Sequence, residues 1–315
     1  MISVVIPNYN GIEHLKDCFD SLRNQSYKDF QIILVDNNSS DNSIEFTKTN
    51  YPEIIILQQK ENTGFAKAVN CGIKLSLKNN KIKHILLLNN DIECDINFAK
   101  KMLAGFISDD VGSVTCKMLN FYKRNIIDAA GDFIKRVGSP YARGHSEIDE
   151  GQYDKPEYVF GACAGAAIYR KEIFEKIGFF DEDFFAYYED VDFSLRLQLT
   201  GFKCYYNPEA ICYHKRGATS VYNSDWQTQL CEKNLIALRI KNYPASLYFK
   251  LAPLFLAGRV KRYYVFLREH SYKLFMSALR GYFLGLFEIP KSLKKRITIQ
   301  RNRKINVKHF KNLLS

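Results

Sequence analysis

Four short apolar runs, ISVVIP, FQIILVD, EIIILQQ and HILLL, alternate with stretches of helical period near the start of the chain, and each gives way to polar residues. Runs of this length rich in Ile, Val and Leu read as strands covered on both faces. HLKDCFDSLRNQ, NSIEFTKTN and GFAKAVNCGIKLSLK carry the helical repeat between them, with Ser40 or Asp41 expected to cap the second helix. The alternation predicts an α/β fold with a doubly wound, mostly parallel sheet. Ligands of such sheets bind beyond the carboxyl ends of the strands. Pro7, Asn8, Tyr9 and Asn10, then Asp36 to Ser39, then Asn89, Asn90 and Asp91 all fall at those ends, although they are far apart in sequence. No GxGxxG follows the first strand and no GxxxxGK[ST] occurs, which argues against a dinucleotide dehydrogenase and a P-loop NTPase. Asp36 is placed to accept hydrogen bonds from a base or ribose. Asp91 is a hard oxygen donor suited to Mg2+ or Mn2+ shared with a diphosphate. Taken singly, Asp36 also fits an Asx-turn, and Asn89 with Asn90 a plain turn.

A second informative stretch is GFFDEDFFAYYEDVDFSLRLQLTGF, in which Glu189, Asp190 and Asp192 crowd behind Phe and Tyr. Val191, Leu195 and Leu199 recur at helical spacing, so Asp190 fits an N-cap and Asp192 with Arg196 an i, i+4 ion pair. Neighbouring carboxylates repel, and burial raises their pKa, so a functional site is the competing explanation.

The chain has 315 residues, room for one large domain or a domain with an appendage, and its 46% hydrophobic content excludes general disorder. Eight scattered cysteines without a CxxC pair read as reduced and mostly buried, which suits a cytoplasmic protein and neither a disulfide framework nor a zinc site. MISVVIPNYN has neither the basic start nor the apolar core of a signal peptide. No apolar run reaches the ~18 residues of a membrane span, so no transmembrane helix is expected.

Charge divides the chain. Residues 235–315 carry 18 Lys and Arg against Glu269 and Glu288, a net of +16, and the preceding residues carry −5. We therefore expect a domain over 1–234, with a strand-end half at about 1–115 and a second half at about 116–234, followed by a basic, mainly helical extension over 235–315. Aromatic and Leu residues interleave with Lys and Arg in that extension, a composition suited to the surface of an anionic membrane. A helical arm for homo-oligomerisation is the alternative. Nucleic acid is not expected, because no binding motif accompanies the charge.

Several stretches together resemble a known family. VVIPNYN, VDNNSSDNS, ENTGFAKAVN, LLLNNDIE, GACAGAAIYRKEIFEKIGFFDEDFFAYYEDVDFSLR and YHKRGATS occur in the order found in family 2 of the inverting, nucleotide-sugar-dependent glycosyltransferases. The resemblance covers about residues 1–220 and is strongest to a bacterial rhamnosyltransferase-like branch. It implies a GT-A fold, a nucleotide-diphosphate sugar donor and a divalent cation, Mn2+ or Mg2+. Carried over by position, Pro7, Asn8, Tyr9, Asp36, Asn62, Lys67, Asn89 and Asn90 would bind the nucleotide sugar. Asp91 and His214 would hold the metal. Asn89 stands where many relatives have the first acid of a DxD motif, so this motif supplies one carboxylate. In YYED, Asp190 would be the general base and Glu189 an acceptor ligand or a partner that tunes its pKa, with Asp192 structural. Gly165, Ala166 and Tyr188 would meet the acceptor, a saccharide or polyprenyl-diphosphate-linked saccharide on the inner face of the cell membrane. The resemblance implies dTDP-rhamnose as the first donor to consider. A UDP-hexose donor, or a catalytically inactive membrane-bound nucleotide-sugar-binding protein, is the alternative.

Overall fold

The structure, a computed structural model, describes residues 1–216 and 224–315; the GATS part of YHKRGATS lies outside the described residues. Strand and helix alternate from the start as β1 (Ile2–Asn8), α1 (Ile12–Arg23), β2 (Phe30–Asp36), α2 (Ser43–Asn50), β3 (Ile55–Gln58), α3 (Gly64–Leu77) and β4 (His84–Leu88). Then follow β5 (Ile92–Cys94), α4 (Phe98–Ala104), β6 (Val111–Asn120), β7 (Ile127–Ala129), β8 (Asp132–Ile134), β9 (Pro140–Ala142) and β10 (Glu157–Val159). The body closes with β11 (Ala166–Arg170), α5 (Lys171–Ile177), α6 (Glu189–Leu199) and β12 (Lys203–His214).

The main sheet runs β10-β12-β6-β11-β4-β1-β2-β3. Its first half, β3, β2, β1 and β4, is wholly parallel. β11 then enters antiparallel between β4 and β6, and β12 lies parallel to β6. The apolar runs are continuous because both faces are covered. Val4, Ile6, Ile32, Leu34, Leu86 and Leu88 pack on one face, and Val5, Ile33, Val35, Ile85 and Leu87 on the other.

Two local expectations change. Neither Ser40 nor Asp41 caps α2: Asn42 occupies that position without a side-chain cap, while Asp41 accepts from the N–H of Ser43 at 3.1 Å and of Ile12 at 3.0 Å. Asp190 is likewise no N-cap, since α6 begins at Glu189 and its cap is Tyr188 in the left-handed region. Asp192 and Arg196 do pair, at 2.9 Å.

The C-terminal region is helical: α7 (Asp225–Asn242), α8 (Ala245–Arg268), α9 (Tyr272–Phe287), α10 (Ile289–Arg301) and α11 (Val307–Asn312). The charge change at residue 234 falls inside α7. Leu235, Leu238, Tyr243, Phe255, Phe310 and Leu314 join Phe184, Val191, Leu195 and Leu199 of the body in a third apolar cluster. No helix among the described residues is long and apolar enough to cross a membrane. All eight cysteines are free, six of them buried.

Candidate active site

Parallel pairing of β1 and β2 sets Asn8 opposite Asp36 at their carboxyl ends. Asn8 Nδ2 donates to Asp36 Oδ1 at 3.1 Å, and Asn8 Oδ1 accepts from Asn90 Nδ2 at 2.7 Å. Three strand ends are thus tied by one buried amide. A Cβ on Gly11 would stand 2.1 Å from Asn90 Nδ2, so only glycine fits beside it. Asp36 Oδ2 also accepts from the Ser39 N–H at 3.0 Å. The Asx-turn and the strand-end cluster are therefore one arrangement. Asn37 links the next loop, donating to Asn62 Oδ1 at 2.9 Å and accepting from the Thr63 N–H at 3.0 Å. Tyr9 is exposed and Lys67 half-buried, both beside this network in sequence, and Pro7 is half-buried within β1.

β4 ends at Leu88, and the Asn89 N–H donates to Gly165 O at 2.8 Å, joining the strand ends to the segment before β11. A Cβ on Gly165 would lie 3.2 Å from Asn89 Nδ2, whereas Ala166 is buried in β11. Asp91 is buried. Among the described residues its Oδ1 has no hydrogen-bond partner and lies 3.4 Å from His214 Nε2. His214 ends β12, and its Nδ1 is 2.6 Å from Asp128 Oδ2. Burial disfavours charge on this imidazole, but the hydrogen bond to Asp128 and the nearby Asp91 carboxylate outweigh burial and raise its pKa to about 9. Burial also opposes the charge on Asp128, yet His145, His214 and Arg216 hold its carboxyl well below the usual range.

An under-bonded buried carboxylate oxygen, facing an imidazole whose other nitrogen is fixed by a second carboxylate, is a donor set that fits a hard divalent cation. Asp128 was not singled out in the sequence. It stands in IIDAAGDFI, where two acids flank small residues without helical or strand alternation to mark them.

The third part of the site is the start of α6. Asp190 Oδ1 accepts from its neighbour Val191 N–H at 2.8 Å, and Oδ2 from the Ala164 N–H at 3.2 Å. Burial raises the Asp190 pKa while these two N–H groups lower it, for a net upward shift. Glu189 is buried, its Oε2 has no hydrogen-bond partner among the described residues, and burial followed by the Asp190 charge pushes its carboxyl well up. Tyr188 packs against the third apolar cluster, and burial raises its phenol.

The segment that delivers these acids is strained. Phe185, Tyr187 and Tyr188 have φ of 63°, 67° and 69°, which for side chains of this size costs ~1–3 kcal/mol each. Side chains of α7 secure it: Asn234 Nδ2 donates to the carbonyls of Phe184, Ala186 and Tyr187 at 3.0, 2.9 and 2.8 Å, and the Trp226 ring packs edge-on against Phe185 and Tyr187. From the other side, the Phe185 carbonyl accepts from the Ala66 N–H at 3.2 Å. A Cβ on Gly64, whose φ is +79°, would lie 2.5 Å from that oxygen. ENTGFAKAVN thus touches Phe185, in the strained segment that leads into YYED. α7 also reaches the acids behind the site: Lys241 Nζ pairs with Asp192 Oδ1 at 2.7 Å and with Asp181, and Asn242 donates to Asp192 at 2.7 Å. Burial opposes the charge on Asp192, but Lys241 and Arg196 hold its carboxyl below the usual range, so this acid is structural. No sequence pattern marked Asn234, because its partners are backbone carbonyls.

Comparison with known proteins places this geometry in a family. The profile described as glycosyl transferase family 2 matches residues 3–178, and that of glycosyl transferase family group 2 matches residues 155–257. An uncharacterized glycosyltransferase of Rickettsia prowazekii is 36% identical over 109 residues, 32% of this chain and 33% of the relative. The low-salt glycan biosynthesis hexosyltransferase Agl10 of Haloferax volcanii is 23% identical over 198 residues, 62% of this chain and 61% of the relative. This chain thus spans less than two thirds of either relative's length. Among solved structures, GalNAc-T7 with UDP, GalNAc and Mn2+ aligns with a TM-score of 0.62 at 15% identity, over 78% of this chain and 48% of that one. The mannosyltransferase PcManGT of Pyrobaculum calidifontis, in complex with GDP-Man and Mn2+, aligns with a TM-score of 0.53 at 14% identity, over 95% and 86%. The fold is GT-A with a helical C-terminal region, and the chain belongs to glycosyl transferase family 2.

Proposed function

We propose that this protein is an inverting glycosyltransferase that moves a sugar from a nucleotide-diphosphate donor to a saccharide or lipid-linked saccharide. The observation that carries the reading is the buried, under-bonded Asp91 carboxylate facing His214, in a chain that also ties Asn8, Asp36 and Asn90 into one strand-end network and presents Asp190 at a helix start. In this reading Asp36, Asn8, Asn62 and Lys67 bind the nucleoside and phosphate end. Asp91 and His214 would hold Mn2+ or Mg2+, and Asn89 and Asn90 frame that position. When bound, the cation supplies neutralisation of the departing diphosphate. His214 must give up its Nε2 proton to serve as a ligand; the Asp128 carboxylate beside Nδ1 holds the imidazole pKa up and so opposes that loss, while it fixes the ring orientation and the tautomer that leaves Nε2 free for a cation.

Asp190 takes the proton of the acceptor hydroxyl as that oxygen attacks the anomeric carbon from the face opposite the diphosphate. Two backbone N–H groups steady its carboxylate. Glu189 supports the acceptor end. The names of the solved neighbours, with UDP in one and GDP-Man in the other, favour a nucleotide-diphosphate donor. dTDP-rhamnose is the first sugar to test and a UDP-hexose the second.

We assign the α8–α9 hairpin to an anionic membrane surface. Phe249, Leu256, Val260 and Tyr264 form an exposed stripe at helical spacing on α8, and Tyr272, Met276, Phe283 and Phe287 another on α9. Exposed Lys250, Lys261, Arg268 and Arg280 lie among them, so apolar insertion and attraction to anionic headgroups act together.

The test is transfer and binding with a panel of dTDP- and UDP-sugars. Asp190→Asn should keep donor binding and lose at least ~10²-fold in turnover. Asp91→Ala should weaken donor binding far more in Mn2+ than in EDTA. Unchanged turnover in the first variant would remove Asp190 as base, and equal losses in both buffers would remove Asp91 as a ligand. A wild-type protein that binds donor but neither transfers nor hydrolyses it would be an inactive binding protein.

A further inference from the structure

Beside Asp190 lies a second carboxyl that the proposed reaction leaves unused. An oxygen of Asp132, an oxygen of Asp190 and Sγ of Cys163 all lie within 4.8 Å of one another. Three separate elements make this approach: β8, the turn before β11, and the first turn of α6. Asp132 is buried, and its backbone is paired with Gly161, its N–H donating to Gly161 O at 3.0 Å and its carbonyl accepting from the Gly161 N–H at 3.2 Å. The approach is therefore fixed by backbone pairing and does not depend on a flexible surface rotamer.

Two carboxylates this close in a buried setting do not both ionise readily. Their hydrogen bonding is unequal. Asp190 receives the N–H groups of Ala164 and Val191, whereas among the described residues no N–H is directed at the Asp132 carboxyl. The negative charge accordingly settles on Asp190 and the proton on Asp132. Cys163 is a soft donor, ill matched to Mg2+ or Mn2+, so a proton suits this trio better than a hard cation.

We propose that Asp132 is the proton-sharing partner of Asp190: the pair carries one proton, held on Asp132, whose O–H supports the Asp190 anion. This inference rests on the reading of Asp190 as the base. Asp132 acts through Asp190 and is a positioning residue. During transfer the acceptor proton passes to Asp190 and the acceptor oxygen bonds to the anomeric carbon. The bond to the diphosphate breaks and its electron pair leaves with that group. The pair then holds two protons and returns one to solvent.

The surrounding groups agree. Burial and then the Asp190 charge push Asp132 well up; Arg216 opposes this and Asp128 adds to it. Cys163, Tyr169 and Cys204, which also face Asp132, are all raised by burial and stay protonated, and Glu189 beside Asp190 is raised as well.

The test is a carboxyl titration of the full-length protein in Mg2+, following 13Cγ signals of labelled aspartates assigned through Asp132→Asn and Asp190→Asn. Asp132 should remain protonated at neutral pH while Asp190 is ionised. Asp132→Ala, which removes the O–H donor, should raise the Asp190 midpoint by about one unit. Asp132→Asn, which keeps a donor, should restore at least half of that shift. An unmoved midpoint in Asp132→Ala, or a downward one, would overturn proton sharing, the latter by showing that Asp132 is charged. The titration needs no substrate, so its failure is distinct from failure of the base assignment, which the turnover of Asp190→Asn decides.

Discussion

The basic residues of the C-terminal region fall into two populations with different physical fates. On α7 and α10 several cations are committed to the body. Lys241 is buried between Asp181 and Asp192, Lys291 pairs with Asp183 at 2.6 Å, and Lys295 reaches both Asp181 and Asp183. On α8 and α9, Arg259 and Arg262 are held by the buried Glu232, at 3.3 and 2.9 Å, but Lys250, Lys261, Arg268 and Arg280 stand exposed near Phe249 and Phe287, which are 73% and 82% exposed. One charge excess therefore serves two ends. Part neutralises the acidic loop that leads into Glu189 and Asp190, and part stays exposed to solvent. Residue-by-residue burial separates them where net charge does not.

The largest effect that would break this comparison is expected at Lys241. Lys241→Met removes the buried cation shared by Asp181 and Asp192 and leaves only Lys295 and Arg196 to offset them, which should cost ~3 kcal/mol in urea denaturation. A loss under ~1 kcal/mol would mean the acids find other partners and that the two populations are alike.

A smaller effect on stability but a sharper one on function is expected at Asn234. Asn234→Ala frees three carbonyls of a strained segment, for a stability loss of ~1–3 kcal/mol. Displacing Asp190 should lower turnover by ~10- to 100-fold while the donor dissociation constant stays within about twofold. Turnover and donor binding falling together would make Asn234 a general stabiliser and detach α7 from catalysis.

The smallest effect on the fold belongs to the hairpin. Phe249→Ser with Phe287→Ser should change stability by no more than ~0.5 kcal/mol. The same pair should release the protein from anionic vesicles in a sedimentation assay, where wild type binds and high salt weakens the binding without abolishing it. Surface substitutions are the right probe because a truncation at residue 234 would cut α7 and remove Lys241 and Asn242 along with the hairpin. Vesicle binding equal to wild type would point to the hairpin as a contact between copies of the chain.

Much of the candidate site could be read in advance where local pattern and chemistry coincide. Asp36 and Asn8 meet because parallel strands of apolar residues end at the same level, and the strand ends are visible in the hydrophobic runs. Asp192 with Arg196 follows from helical spacing alone. The caps did not follow so simply. Asp41 had the composition of a cap but turned to the N–H of Ile12, and Asp190 lost the cap position because Tyr188 adopts a left-handed backbone that side chains of its kind rarely take. Such strain is set by neighbours distant in sequence, here Asn234 and Ala66.

What the sequence determined by itself is what short-range physics controls: hydrophobic period, strand ends, the i, i+4 ion pair, and the excess of positive charge near the C-terminus. The tertiary structure alone decided which charges met. Asp128 reached His214 across 86 positions, Asp132 came to Asp190, and Asn234 came under the strained loop before Glu189, because each partnership is made by packing β7, β8 and α7 against a sheet assembled from other parts of the chain. Sequence spacing carries no record of such contacts, since a buried carboxylate or amide gains its meaning only from the groups that folding brings within a few ångströms of it.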